Sequence, residues 1–192
     1  MTCVVGLITD VGLVFGADSL VTTETGLKLT LLDKKVFVKN NVLFGFCGDL
    51  RFGQLVKHRF TPPSPGRSKD LEAFMHTKFL PDLQKFCTDS GVLKMEDLSF
   101  ELLIGIHRSI YTIASDFSVV EASTRYQAIG SGAEYALGVM YATKSLSNFQ
   151  QRITLALEAS SAFSQTVAKP FHFECLTTTP KKQVKTKSTS RK

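Results

Sequence analysis

Thr2-Cys3-Val4-Val5-Gly6-Leu7-Ile8-Thr9-Asp10-Val11-Gly12-Leu13-Val14-Phe15-Gly16-Ala17-Asp18-Ser19 opens the chain with two apolar runs parted by a turn-forming Asp-Val-Gly. Residues 4–9 and 13–17 carry an apolar pattern of strand length and read as a hairpin of buried strands. Such a strand pins the residue before it, and pinning matters because a frayed terminus cannot hold a reacting group in place. That residue is Thr2, directly behind Met1. Removal of Met1 would give it a hydroxyl nucleophile and a free α-amine titrating near ~8, able to take a proton at neutral pH. A Met-Thr start alone is also compatible with an ordinary terminus, so the weight falls on the rest of the chain.

A second strand pair follows the first. Residues 35–38 lead through Lys39-Asn40-Asn41, a turn by composition, into residues 42–46. After Gly48, the spacing of Leu50, Phe52, Leu55 and Val56 turns helical, and the Pro/Gly-rich segment 61–66 ends that element. Residues 70–87 predict a long amphipathic helix with Leu71, Phe74, Met75, Phe79, Leu83 and Phe86 on one side, despite Pro81, and with Asp70 as its cap. Strands are expected at 100–107, 109–114, 118–120 and 126–129, then helices at 133–145 and 149–163, then a last strand at 171–176. Strands and helices come in blocks rather than in strict alternation, which separates them into layers. The expected fold is α+β: one domain over residues 2–176, built as a four-layer αββα sandwich of two antiparallel sheets between helix layers.

Composition narrows the function classes. The 192 residues with 43% hydrophobic content suffice for a sizeable core. No apolar stretch approaches the ~20 residues of a membrane span, and the start lacks the pattern of a secretory signal, so a cytoplasmic protein is expected. Cys3, Cys47, Cys87 and Cys175 show neither disulfide-framework nor zinc spacing, and no phosphate loop or cofactor motif is visible. The net charge of +6 is local: six of the 23 basic residues lie after Thr177, leaving 17 basic and 17 acidic residues in the body. Residues 177–192 therefore predict a disordered basic tail. Nucleic acid is not an expected partner beyond weak attachment through that tail.

Five landmarks fall in order: Thr2, Gly16-Ala17-Asp18-Ser19, Lys34-Lys35-Val36-Phe37, Gly45-Phe46-Cys47-Gly48-Asp49, and Ala128-Ile129-Gly130-Ser131-Gly132-Ala133-Glu134-Tyr135-Ala136-Leu137-Gly138. Together they resemble the proteasome β-subunit and HslV peptidase family of N-terminal nucleophile hydrolases over residues 2–176, with the Ser131 segment most like HslV. The resemblance implies a threonine-type endopeptidase with Thr2 as nucleophile. A cationic lysine would keep the Thr2 amine neutral and ease loss of the hydroxyl proton. Family spacing points to Lys34 and the local pattern to Lys35; Lys35 is favoured because loop length varies more easily than strand register. Asp18 is implied as the lysine's partner, Gly48 as the oxyanion donor through its N–H, and Ser131 as a hydrogen-bonding partner near the Thr2 amine. Phe46, Cys47 and Thr22 are expected to border the substrate. Proteasome β-subunits usually carry Asp-x-x-Ser after the last long helix, whereas here Ser161 and Ser164 stand in those places. A hydroxyl at Ser161 cannot support positive charge as a carboxylate does.

The resemblance further implies polypeptide substrates, a homo-oligomeric ring of six or seven subunits, stacked in pairs, and a separate AAA+ ATPase unfoldase. The sequence itself holds no ATPase motif. Two alternatives stand beside this reading: a catalytically silent proteasome-like subunit, and an amide hydrolase or transpeptidase on the same fold.

Overall fold

A computed structural model of the chain describes residues 2–23, 25–66, 68–94 and 98–177. Thr177 ends the last strand, and the remainder of the expected basic tail lies outside the described residues.

The strands, in chain order, are β1 (Val4–Ile8), β2 (Gly12–Ala17), β3 (Leu20–Thr22), β4 (Lys28–Thr30), β5 (Val36–Lys39), β6 (Val42–Gly48), β7 (Phe100–Ile106), β8 (Ser109–Ala114), β9 (Val119–Glu121), β10 (Tyr126–Ile129) and β11 (His172–Thr177). The first sheet has the order β10-β1-β2-β11 and the second β5-β6-β7-β8-β9, with every pairing antiparallel. The opening hairpin registers Val4 against Ala17 and Ile8 against Leu13. Its turn is closed by Thr9, whose N–H donates to the Gly12 carbonyl at 2.7 Å. Asn40 and Asn41, at φ 49° and 59°, turn β5 into β6, the backbone that a two-residue hairpin loop needs and asparagine tolerates. The small β3–β4 ribbon escaped the sequence reading, because Lys28-Leu29-Thr30 is exposed throughout and carries no buried face.

Three hydrophobic clusters explain why the strands are apolar on both faces. Val4, Leu13 and Phe15 of the first sheet meet Val36, Leu43, Leu103 and Ile110 of the second. With a side-chain period of two, Val5, Leu7 and Val14 point the other way and pack on Met140, Ile153 and Leu157, from helices α4 (Ala133–Ala142) and α5 (Phe149–Phe163). Phe44, Leu102 and Ile104 of the second sheet pack on Phe52 of α1 (Leu50–His58) and on Met75, Phe79 and Leu83. Each such side chain stabilises the fold by roughly 1.5–3 kcal/mol on full burial.

The expected 70–87 helix forms with a change inside it. Asp70 caps it, accepting from Ala73 N–H at 2.8 Å, and α2 (Leu71–Phe74) passes through a wider π turn (Met75–Phe79) into α3 (Leu80–Asp89). Pro81 is the physical reason: it has no N–H, and in a regular helix its ring would press on the carbonyl of Thr77, four residues back. α4 stops at Ala142, shorter than expected, while α5 begins after Asn148, which caps Gln151 N–H at 3.0 Å. No described helix is long and apolar enough to cross a membrane.

Candidate active site

Thr2 sits at the head of β1 and is only 3% exposed. The turn after β10 fastens its backbone: Thr2 N–H donates to Ser131 Oγ at 3.3 Å, and the Thr2 carbonyl accepts from Gly132 N–H and Ser131 Oγ, each at 3.3 Å. Gly130 makes this approach possible, since at φ 89° a side chain would be strained and its Cβ would fall 2.3 Å from the Thr2 carbonyl oxygen.

The β1–β2 hairpin brings Asp18 beside Thr2. Asp18 is fully buried, and its carboxylate accepts from Cys3 N–H at 3.0 Å, Leu20 N–H at 2.9 Å and Lys35 Nζ at 3.1 Å. A buried charge of this kind is tolerable because its lone pairs are occupied and a cation faces it. Lys35, 2% exposed, spends its three donors on Thr2 Oγ1 at 2.8 Å, Asp18 at 3.1 Å and the Leu20 carbonyl at 2.6 Å. Burial holds its pKa below the ordinary 10.5, with Asp18 pulling the other way. The adjacent Lys34 is a correction to the expected site. Its ammonium is exposed and pairs with Glu174 at 2.7 Å, because neighbouring residues entering a strand face opposite ways.

A line of hydroxyls leads away from the Thr2 nitrogen. Ser131 Oγ lies 2.7 Å from Thr166 Oγ1, which lies 2.8 Å from Ser164 Oγ. Thr166 was not anticipated. Its only signal was a Ser-x-Thr pattern just past the end of a helix, where a hydroxyl turns back on the chain; here Thr166 N–H donates to Ser164 Oγ at 3.4 Å. Ser161 needs the opposite correction: it is a half-buried residue of α5, and the inward hydroxyl of that turn belongs to Ser160. Ser160 Oγ lies 2.8 Å from the Gly132 carbonyl and 3.4 Å from Cys3 Sγ, bracing the Thr2 turn from behind.

A carboxylate does reach this region, from β7 of the second sheet. Glu101 of β7 faces Cys47 of β6, and its Oε2 accepts from Gly130 N–H at 3.0 Å and Cys47 Sγ–H at 3.3 Å. Burial, reinforced by Glu101, pushes the Cys47 thiol far above its usual range, and burial raises Cys3 to about 11. Neither is a ready nucleophile at neutral pH. Gly48 ends β6 with φ 88°, and a Cβ there would lie 2.2 Å from the Ser99 carbonyl oxygen, so only glycine suits the position. Phe46 is a further correction, to the expected substrate border: alternation along β6 turns its ring away from Cys47 and into the core against Gly53 of α1, while its N–H donates to the Lys35 carbonyl at 3.1 Å. Thr22 lies on β3 opposite Lys28 and is half-buried. Among the described residues, no group of three or more His, Cys, Asp or Glu stands in position to hold a metal.

The site thus unites Thr2, Asp18, Lys35, Ser131 and Ser164 with the unforeseen Thr166 and Glu101. Among solved structures, the chain matches the epoxomicin complex of Thiobacillus denitrificans BPH with a TM-score of 0.74 and 22% identity, over 93% of this chain and 100% of that one. Trypanosoma brucei HslV matches at 0.71 and 14%, over 92% of this chain and 99% of that one. The chain shares their fold. Anbu from Yersinia bercovieri has the same HslV-like fold at a TM-score of 0.65 and 15% identity, covering 91% of this chain and 81% of that one. No family model and no curated protein sequence matches the chain.

Proposed function

We propose that this protein is an N-terminal threonine peptidase on an αββα N-terminal nucleophile hydrolase fold. The single observation that carries the reading is the Lys35 ammonium, 2.8 Å from Thr2 Oγ1 and anchored by Asp18. Three clusters, lying between the two sheets and on their outer faces, support the four-layer description.

In this mechanism Met1 is removed and the Thr2 α-amine is freed beside Ser131. The amine takes the hydroxyl proton, directly or through water, as Thr2 Oγ1 attacks the peptide carbonyl carbon. Lys35, already donating to that oxygen, lowers the cost of its negative charge. The carbonyl oxygen becomes an oxyanion, for which Gly48 N–H is the assigned donor. Collapse breaks the C–N bond, the leaving amine takes the proton from the Thr2 ammonium, and an acyl ester on Thr2 remains. Water then attacks the ester and releases the second peptide fragment. Ser131, Thr166 and Ser164 orient the amine through neutral hydroxyls where a carboxylate is usual in proteasome β-subunits. Cys47, whose Cβ would be 3.3 Å from a Cβ on Gly130, borders this space, with Thr22 as the other substrate-side residue.

The Pseudomonas aeruginosa Anbu complex forms a helical assembly. Its shared fold, with the HslV likeness, supports a homo-oligomer here. The reading takes this as a stacked ring of six or seven subunits, in the cytoplasm, with polypeptides delivered by a separate AAA+ unfoldase. Native mass measurement distinguishes a closed ring, of fixed mass, from an open helix, whose mass grows with concentration. The activity itself is tested with epoxomicin, which is bound in the Thiobacillus structure: binding here is expected to require Thr2 and to block peptide cleavage. Cleavage that persists in Thr2→Ala overturns the reading.

A further inference from the structure

We propose that the cleft between the β1–β2 turn and the α4–α5 connection binds an oxyanion group, carboxylate or phosphate, carried on a small apolar body. The cleft measures about 550 Å³ and lies past the far end of β1 from Thr2, at Leu7 to Val11. At the rise of an extended strand, that is on the order of 20 Å from the Thr2 hydroxyl. It is therefore separate from the site described above, and the inference does not depend on the reading of Thr2.

Its walls combine two chemistries. Leu7, Tyr126 and Phe149 supply apolar surface, and Lys144 and Arg152 supply positive charge beside the Arg125–Asp10 pair. The acid of the lining, Asp10, is already paired, with its Oδ1 2.9 Å from Arg125 Nη2. Lys144 and Arg152 have no carboxylate partner among the described residues; Lys144 stands over the Tyr141 ring at 5.0 Å instead.

Arg152 is the decisive residue. Its side chain is half-buried, one Nη2 donor goes to the Met140 carbonyl at 3.0 Å, and its buried Nε has no hydrogen-bond partner among the described residues. A guanidinium in that position has given up water and received one neutral acceptor in return, which leaves both its charge and a donor under-compensated. Burial accordingly lowers its pKa, with Tyr126 pulling the other way and the like charge of Arg125 adding a smaller push downward. A carboxylate or phosphate in the cleft supplies the missing countercharge, accepting from the remaining Nη donors of the guanidinium while Lys144 adds a second charge from the rim. The apolar walls favour a ligand with hydrocarbon behind the charged group rather than a bare ion.

The test is calorimetric titration of the full chain with hexanoate, with hexanamide as its uncharged counterpart and hexyl phosphate as the phosphate of matched hydrocarbon. Saturable hexanoate binding at least about tenfold tighter than hexanamide is expected. Arg152→Met and Lys144→Met are each expected to weaken it by about tenfold, and Thr2→Ala to leave it unchanged. A preference for hexyl phosphate over hexanoate assigns the natural group as phosphate, and the reverse preference assigns a carboxylate; either supports an oxyanion site. Equal binding of hexanoate and hexanamide, or no saturable binding of either anion, overturns the proposal. So does unchanged binding in Lys144→Met, an exposed substitution that leaves the core intact should Arg152→Met fail to fold.

Discussion

Lys35 donates to the hydroxyl of Thr2 at 2.8 Å across 33 residues of sequence, with both side chains almost wholly buried. Burying an ammonium costs several kcal/mol before it meets a partner, so the contact persists because Asp18 and the Leu20 carbonyl complete its shell. The two adjacent lysines then predict opposite results. Lys35→Ala should lower peptide cleavage by ~100-fold or more, as expected for removing a preorganised charge beside the reacting oxygen. Lys34→Ala removes an exposed ion pair worth about 0–1 kcal/mol and should leave kcat/KM near the wild-type value. Steady-state kinetics on both variants check the assignment.

Acid–base behaviour gives a second test. Lys35 has a pKa below 10.5, chiefly from burial, and Asp18 opposes that shift. Cleavage should therefore fall with rising pH through an alkaline limb below 10.5, as the lysine loses its proton. Asp18→Asn removes the opposing charge and should move that limb to lower pH. Stability has the reverse sign: in the window between the folded pKa and 10.5, the unfolded chain holds more protons at this lysine than the folded one. The Lys35 contribution to stability thus grows with pH while activity declines. A pH–rate profile and pH-dependent denaturation together measure both limbs.

The hydroxyl line from Thr2 predicts a graded effect. Thr166→Val removes the link between Ser131 and Ser164 and should cost about tenfold in kcat, the effect of roughly one hydrogen bond. Ser161→Ala should have little effect, since its neighbour Ser160 holds the inward position. Parallel kinetics of the two variants separate the observed arrangement from the one expected at Ser161.

The Gly130 turn predicts a loss of stability as well as rate. Gly130→Ala combines left-handed strain with a clash on the Thr2 carbonyl and should cost ~1–3 kcal/mol or more. Glu101→Leu leaves the Gly130 N–H without its acceptor and should cost ~1–3 kcal/mol, whereas Glu101→Gln retains an acceptor and should cost less. Urea denaturation of the three variants measures the order.

Much of the framework was legible in the chain because period and turn chemistry agree with the final packing. The opening hairpin, the Asn40-Asn41 turn, the Asp70 cap and α5 are local features, written in neighbouring residues. The resemblance pointed to Asp18 and Lys35, and the structure places both beside Thr2, while strand alternation turns Lys34 outward to Glu174. Thr166 and Glu101 were not found. Their roles arise from a helix end and a β6–β7 pairing that bring distant segments together, and neither has local periodicity to reveal it. Phe46 was readable as apolar, but only the packing of its ring on Gly53 shows that it lies in the core under α1.

Thr2 as nucleophile is the central claim, and peptide mass spectrometry after treatment with epoxomicin tests it most directly. The prediction is an N-terminal peptide that lacks Met1 and carries the inhibitor on Thr2, absent from Thr2→Ala. Retention of Met1 with an unmodified Thr2, or an adduct on another residue, would contradict it.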